Sequence, residues 1–196
     1  MRMGVAFMPI KDADIRKSLL YAIHKNNSKS LHYRVLPELV VCDGCARVDV
    51  AVANGHLCGY EIKSDVDSLE RLSNQCSCYN RTFEKMYIVV GKKYIDKIAS
   101  FVPAWWGIYY ADKKRDNRRV SLVLIKKAGS NPNVDPHALL ELLWASEIKT
   151  LLKEWSINGI SGKNRRILRD IACAKIPYNY IKNYTLNVLK NREDWR

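Results

Sequence analysis

The spacing of apolar positions changes along the chain, and each change marks an element. From residue 12 to 26, Ile15, Leu19, Leu20 and Ile23 recur every three or four positions, the stripe of an amphipathic helix that Asp12 or Asp14 can cap. After a polar break at 25–30 the period falls to two. Residues 35–42, 47–53 and 57–64 read as strands, with Pro37 weakening the start of the first. Asp43-Gly44 and Asn54-Gly55 supply the two turns, the second being the strongest short hairpin signal. Residues 67–83 return to helical spacing, with Leu69, Leu72, Cys76 and Tyr79 on one side and Asp67 as its cap. A short buried strand at 86–90, a helix at 94–101 ended by Pro103, and strands at 106–110 and 120–125 follow. From Pro136 onward strand signals stop, and helices are expected at 136–155, 162–174 and 178–191, separated by Asn158-Gly159, Gly162 and Pro177.

This order predicts an α/β fold: a mixed sheet flanked by helices over residues 1–130, with an all-helical C-terminal extension over 131–196.

Alternation along the hairpin predicts where chemistry lies. Val48, Val50 and Val52 share one face of their strand and Asp49 takes the other; Cys58, Tyr60 and Ile62 share one face of the next strand and Gly59, Glu61 and Lys63 the opposite one. If the apolar sets pack together, Asp49, Glu61 and Lys63 stand side by side, with Gly59 leaving room for a ligand backbone. Two carboxylates brought together repel unless a cation lies between them, and hard oxygen ligands favour Mg²⁺ or Mn²⁺. A lysine beside such an ion can orient or help deprotonate an attacking water, which is the apparatus for cleaving a phosphodiester. The plainer alternative is a surface salt bridge between Lys63 and its acidic neighbours.

Arg47-Val48-Asp49 followed by Gly59-Tyr60-Glu61-Ile62-Lys63 resembles the signature of the PD-(D/E)XK phosphodiesterase superfamily, the restriction-endonuclease-like fold, over roughly residues 12–91. The superfamily's proline before the aspartate is replaced here by Val48. The resemblance implies catalytic roles for Asp49, Glu61, Lys63 and Gln75, and a metal held by Asp49 and Glu61. It also suggests Glu38 as a further metal ligand, with Asp12 and Asp14 as alternatives. Gln75-Cys76-Ser77-Cys78-Tyr79 fits the Gln-x-x-x-Tyr element of the exonuclease-like branch; Tyr79 would touch the DNA strand or steady the lysine. Arg71 is a candidate phosphate contact or a partner of Asp67. The run from Glu61 through Leu72, with the closing residues 190–196, is similar to a bacterial and phage family of such nucleases. The implied activity is Mg²⁺-dependent cleavage of DNA in repair, phage biology or defence. The competing expectation is a nucleic-acid-binding or regulatory module that keeps the fold without cutting.

Charge agrees with a polyanionic partner. The 196-residue chain carries a formal +13, which favours nucleic acid or an anionic surface and cannot by itself choose between them. Lys113, Lys114, Arg115, Arg118 and Arg119 form one basic cluster, and Lys163, Arg165, Arg166 and Arg169 another. On a helix Arg165, Arg166 and Arg169 share a face, a stripe suited to phosphates, to solvent or to a dimer contact. Trp105-Trp106 reads as core, with base stacking as the alternative.

No apolar run of about 18 residues occurs, and the first ten residues are too interrupted for a secretory signal, so a cytoplasmic protein with no membrane partner is expected. A homodimer is left open. The six cysteines should then be reduced. Cys42-x-x-Cys45 has the spacing of half a zinc site, but Cys76-x-Cys78 is too tight for the other half, so no metal or cluster is expected there. The four histidines form no ligand pattern.

Overall fold

The computed structural model of the chain describes residues 9–28, 32–113 and 119–193. Helix α1 (Asp12–Asn26) buries Ile15, Leu19 and Ile23 along one line, and its acidic first turn and basic last turn suit the helix dipole. Its N-cap is Lys11, which gives no side-chain cap; Asp12 pairs with Arg16 one turn on instead.

Strands β1 (Arg34–Val41), β2 (Ala46–Ala53) and β3 (Leu57–Lys63) form the expected antiparallel meander. Strand β4 (Lys85–Val90) lies parallel to β3, β5 (Gly107–Asp112) parallel to β4, and β6 (Ser121–Lys126) antiparallel to β5. The result is a six-stranded mixed sheet in the order 1-2-3-4-5-6. The parallel step from β3 to β4 needs a crossover, which helix α2 (Leu72–Thr82) supplies.

Three helical expectations change. Helix α2 starts at Leu72, not at 67, because Asp67 turns back to accept the Ser64 N–H (2.7 Å) and hydroxyl (2.6 Å) and closes a turn instead of capping a helix. Residues 94–101 form successive turns ending in one 3-10 turn at Ile98–Ser100. Tyr94 and Ile98 anchor a single turn of apolar surface there, too little to offset helix nucleation. The expected helix at 136–155 is two, α3 (Pro136–Leu140) and α4 (Ala145–Glu154). Leu142 and Leu143 turn back onto the Leu139 and Leu140 carbonyls and end α3, and the Trp144 N–H, taken by Glu147 Oε2 (2.6 Å), starts α4 afresh. Helices α5 (Arg165–Lys175) and α6 (Tyr178–Asn191) complete the chain.

The sheet carries a core on each face. On one, α1 packs on Val50, Val52, Cys58, Ile62, Val89 and Ala111. On the other, α2 and the C-terminal helices share one cluster with Val48, Ala51, Leu57, Met86 and Ile88. The alternation expected along β2 breaks at Asp49: Val48 faces α2 while Val50 and Val52 face α1. The same switch occurs on β1, where Glu38 takes a positive φ of 53° opposite Asp49. The register is continuous on both sides of Glu38, so the two strands turn over together at this pair.

The ends of β3 and β4 are tied down by Asp65, which is 7% exposed. Its carboxylate accepts the Ile10 and Lys93 N–H groups, both at 3.0 Å. Gly91 lies so close that a Cβ would fall 2.3 Å from Asp65 Oδ1, so this end of the sheet has no room for a larger residue there. Gly59 faces Met86 and Phe83 in the core, where a Cβ would meet Met86 Sδ at 2.5 Å; it makes room for packing, not for a ligand.

Candidate active site

Where β2 parts from β3 below the Val50–Tyr60 pair, a cleft of about 690 Å³ opens at the C-terminal end of β3. Asp12, Arg16, Glu38, Arg47, Asp49, Glu61, Lys63, Arg71 and Gln75 line it. The hairpin thus brings together the three residues that alternation singled out, with Gln75 and Arg71 beside them.

Glu61 is only 2% exposed, yet every side of its carboxylate is met. Oε1 accepts from Lys63 Nζ (2.9 Å) and Gln75 Nε2 (2.7 Å), and Oε2 accepts from the Tyr79 hydroxyl (2.8 Å). Gln75 Oε1 in turn accepts from Lys63 Nζ (3.0 Å), so one glutamine holds both the base and the acid. Gln75 and Tyr79 stand one turn apart on α2 and reach the same carboxylate from above. Asp49 is fixed by the Ile62 N–H at Oδ2 (2.7 Å) and by Arg16 at Oδ1 (2.6 Å). Burial pushes both carboxyls above their ordinary range. For Asp49 the Ile62 N–H and Arg16 oppose the rise; for Glu61 the charge of Asp49 adds to it, and Lys63 and Tyr79 oppose it.

Tyr79 is 0% exposed and cannot touch a strand of nucleic acid. Its hydroxyl proton is shared between Glu61 Oε2 and the Arg47 carbonyl (2.9 Å), so it ties α2 and β2 to Glu61. Tyr79→Phe is expected to lower stability by about 1–2 kcal/mol, because Glu61 loses a buried donor; paired melting curves check it, and an unchanged midpoint would remove the tie.

Glu38 lies at the rim, its oxygens engaged by Arg16 (2.7 Å) and Arg47 (2.8 Å). Each oxygen has one such contact, so a metal held there would share its oxygen with a guanidinium. Arg71 is exposed at the cleft mouth and makes no ion pair with Asp67 among the described residues. Nearby, Lys93 and Lys97 stand 4.8 and 5.4 Å from the centre of the Tyr94 ring, beside the Asp67 turn.

The arginine stripe is not a free surface. Arg169 is 4% exposed and grips both oxygens of Asp43 (2.6 and 2.8 Å). Arg165 donates to the carbonyls of Leu143 and Glu141. Arg169 fastens α5 to the β1–β2 turn, where Cys42, Asp43 and Gly44 all take positive φ, and Arg165 fastens it to the link between α3 and α4; of the three, only Arg166 is exposed. Of the other basic cluster, Lys114, Arg115 and Arg118 lie outside the described residues, as do the closing residues 194–196. Trp106 is core, its indole N–H on Asn80 Oδ1 (2.9 Å).

Cys42, Cys58 and Cys76 are buried and Cys45 is exposed. Cys42 donates to the Cys78 carbonyl, and burial raises its thiol to about 12. Among the described residues, no group of three or more His, Cys, Asp or Glu side chains gathers at one point suited to a metal. No described helix is long and apolar enough to cross a membrane.

The residue that sequence reasoning missed is Arg16. Its signal was the Asp12–Arg16 spacing of four on the polar side of α1, which reads equally well as an ordinary surface pair.

A family model described as Bacteriophage P4 protein cII matches residues 9–194. Protein cII of Enterobacteria phage P4 is 28% identical over 183 residues, covering 93% of this chain and 68% of the phage protein. No solved structure matches.

Proposed function

The chain belongs to the bacteriophage P4 protein cII family, and we propose that it is a metal-dependent nuclease of the PD-(D/E)XK kind that hydrolyses phosphodiester bonds of DNA. The observation that carries this reading is the convergence of Asp49, Glu61, Lys63 and Gln75 on one cleft, with Lys63 held between Glu61 and Gln75.

The donor set fits a hard divalent cation. Each carboxylate oxygen has two lone pairs. Glu61 Oε1 has both committed, whereas Glu61 Oε2, Asp49 Oδ1 and Asp49 Oδ2 each accept one hydrogen bond and keep one lone pair. Mg²⁺ asks little more of a protein, since it usually keeps waters and binds through one or two carboxylates and substrate phosphate. Asp49 and Glu61 would hold it, with Glu38 as an outer contact. When bound, such an ion polarises a phosphoryl oxygen and makes a water nucleophilic near neutral pH. The protein's own groups do the rest. Lys63 is 6% exposed and placed by two acceptors, so its ammonium can orient an attacking water or meet charge developing on the phosphate. Gln75 Oε1 gives that ammonium a second acceptor beside Glu61 and so fixes its direction. Arg71, exposed at the cleft mouth, gives an incoming phosphate a cation to meet.

The competing reading is a phage regulatory or nucleic-acid-binding module that does not cut. Arg16 favours it, because that guanidinium already neutralises Asp49 and Glu38 without any metal. The family's description also speaks of a phage protein and of no reaction. Labelled single-stranded, duplex, flapped and branched DNA incubated with Mg²⁺ or Mn²⁺ separates the two readings: cleavage supports the nuclease, and tight binding with every substrate left intact supports the module.

A pH dependence follows. A metal binds the ionised carboxylates, and burial raises both Asp49 and Glu61. Mg²⁺ affinity and cleavage are expected to fall on acidification at a pH above the ordinary carboxylate range. A profile flat down to that range would contradict the metal-holding role of the two acids.

A further inference from the structure

Arg16 is the most fully engaged cation of the cleft. Its guanidinium has five N–H donors; four hydrogen bonds, to Asp12 and Asp49, draw on them, and Glu38 adds an ion pair. Nε donates to Asp12 Oδ1 (3.1 Å); Nη1 reaches the Asp49 carbonyl (2.9 Å) and Glu38 Oε1 (2.7 Å); Nη2 reaches Asp49 Oδ1 (2.6 Å) and Asp12 Oδ2 (3.5 Å). Three elements meet on this group: α1, which carries it, β1 through Glu38, and β2 through Asp49. A loose surface pair would leave donors to solvent.

The charges on this wall do not cancel. Asp12, Glu38, Asp49 and Glu61 face Arg16, Arg47 and Lys63, which leaves one negative charge over. A divalent ion added to this set overshoots to one positive charge. That excess is relieved locally when the guanidinium withdraws from Asp49 onto Asp12, since two cations sharing one carboxylate repel each other. Asp49 Oδ1, the oxygen that Arg16 grips at 2.6 Å, is also one of the few oxygens with a lone pair left for a metal.

We propose that Arg16 is the resident cation of this acid cluster, and that a divalent ion binding at Asp49 competes with its guanidinium. This rests on the metal-dependent reading above. Without an ion, Arg16 keeps Asp12, Glu38 and Asp49 from repelling one another and so holds the cleft in shape. With an ion, the guanidinium gives up Asp49 and stays tethered to Asp12 on its own helix. Arg16 is therefore a positioning residue that sets how much free metal the protein needs, and it does so before any nucleic acid arrives.

The test is Mn²⁺ binding to the full chain by titration calorimetry, without nucleic acid, so that turnover plays no part. Arg16→Gln removes the competing charge and is expected to bind Mn²⁺ about tenfold tighter than the native protein, while melting at a lower temperature when metal-free. Arg16→Lys keeps the charge but loses the fork, and is expected to bind Mn²⁺ with an affinity between those of the native protein and Arg16→Gln. Should Arg16→Gln fail to fold, Arg16→Met, which keeps the aliphatic stem, carries the same expectation. Equal or weaker Mn²⁺ binding in the charge-removing variant overturns the competition and leaves the metal-dependent reading in place. Absence of Mn²⁺ binding in every folded form, native included, overturns both.

Discussion

Glu61→Gln and Lys63→Ala are each expected to lower DNA cleavage by about 100- to 1,000-fold, the scale set by removing one preorganised charged group from a reaction centre. The two losses differ in kind. Glu61→Gln keeps the shape and can keep its contacts, since the amide oxygen takes Lys63 and Gln75 while its NH2 donates to the Tyr79 hydroxyl, which turns its proton to the Arg47 carbonyl; what is lost is the charge and a metal-holding oxygen. Lys63→Ala leaves Glu61 buried beside Asp49 without its counter-charge, so it costs stability as well as rate. Cleavage assayed beside thermal melting separates the effects: Glu61→Gln should melt near the native temperature with its activity gone. Full activity in either variant would remove that residue from the mechanism.

The second large effect lies far from the chemistry. Arg169→Ala is expected to destabilise the protein by about 2 kcal/mol, toward the lower end for a broken buried pair because Asp43 is half exposed. The arginine is buried and meets Asp43 through both nitrogens of its fork, with Glu141 Oε1 3.9 Å away. Arg169 Nε and Glu141 Oε2 are already buried without a hydrogen-bond partner among the described residues, so the network has little slack. Removing the fork also frees the left-handed turn at Asp43, the piece of β1–β2 whose Gly44 and Cys45 border the cleft. Urea unfolding reads this as a lower midpoint with an unchanged slope. Unchanged stability with weakened binding to nucleic acid would return Arg169 to the phosphate-contacting role that its helical spacing suggests.

Arg169 also marks the limit of what the sequence discloses. Period-two spacing locates the three strands and the turn dipeptides fix their order, which brings Asp49 near Glu61 and Lys63, although the face expected for Asp49 rests on an alternation that β2 does not keep. Gln75 and Tyr79 follow from helical spacing. Helical spacing also places Arg165, Arg166 and Arg169 on one face, but it does not say what the face meets. Asp43 lies 126 residues from Arg169 along the chain, and only the packed fold brings the two together. Glu38 and Arg16 are hidden for a related reason. The turnover of β1 and β2 at Glu38 and Asp49 breaks the alternation on which face assignment depends, and it exposes Asp49 to α1 as well as to α2. The break in the helix after Leu140 is set by the i→i−3 turns at Leu142 and Leu143 and by the Glu147 contact to the Trp144 N–H, which a periodic apolar pattern does not record.

On the proposed function, the cleft cuts DNA using Asp49, Glu61, Lys63 and a divalent ion. The most direct measurement is single-turnover cleavage of a labelled oligonucleotide by the native protein and by Glu61→Gln, with binding followed in parallel and Mg²⁺ either supplied or removed by EDTA. The account predicts cleavage by the native protein with Mg²⁺, none in EDTA, and binding retained but cleavage lost in Glu61→Gln. Native protein that binds the oligonucleotide and leaves it whole at every metal concentration, or that cuts equally well in EDTA, would contradict it.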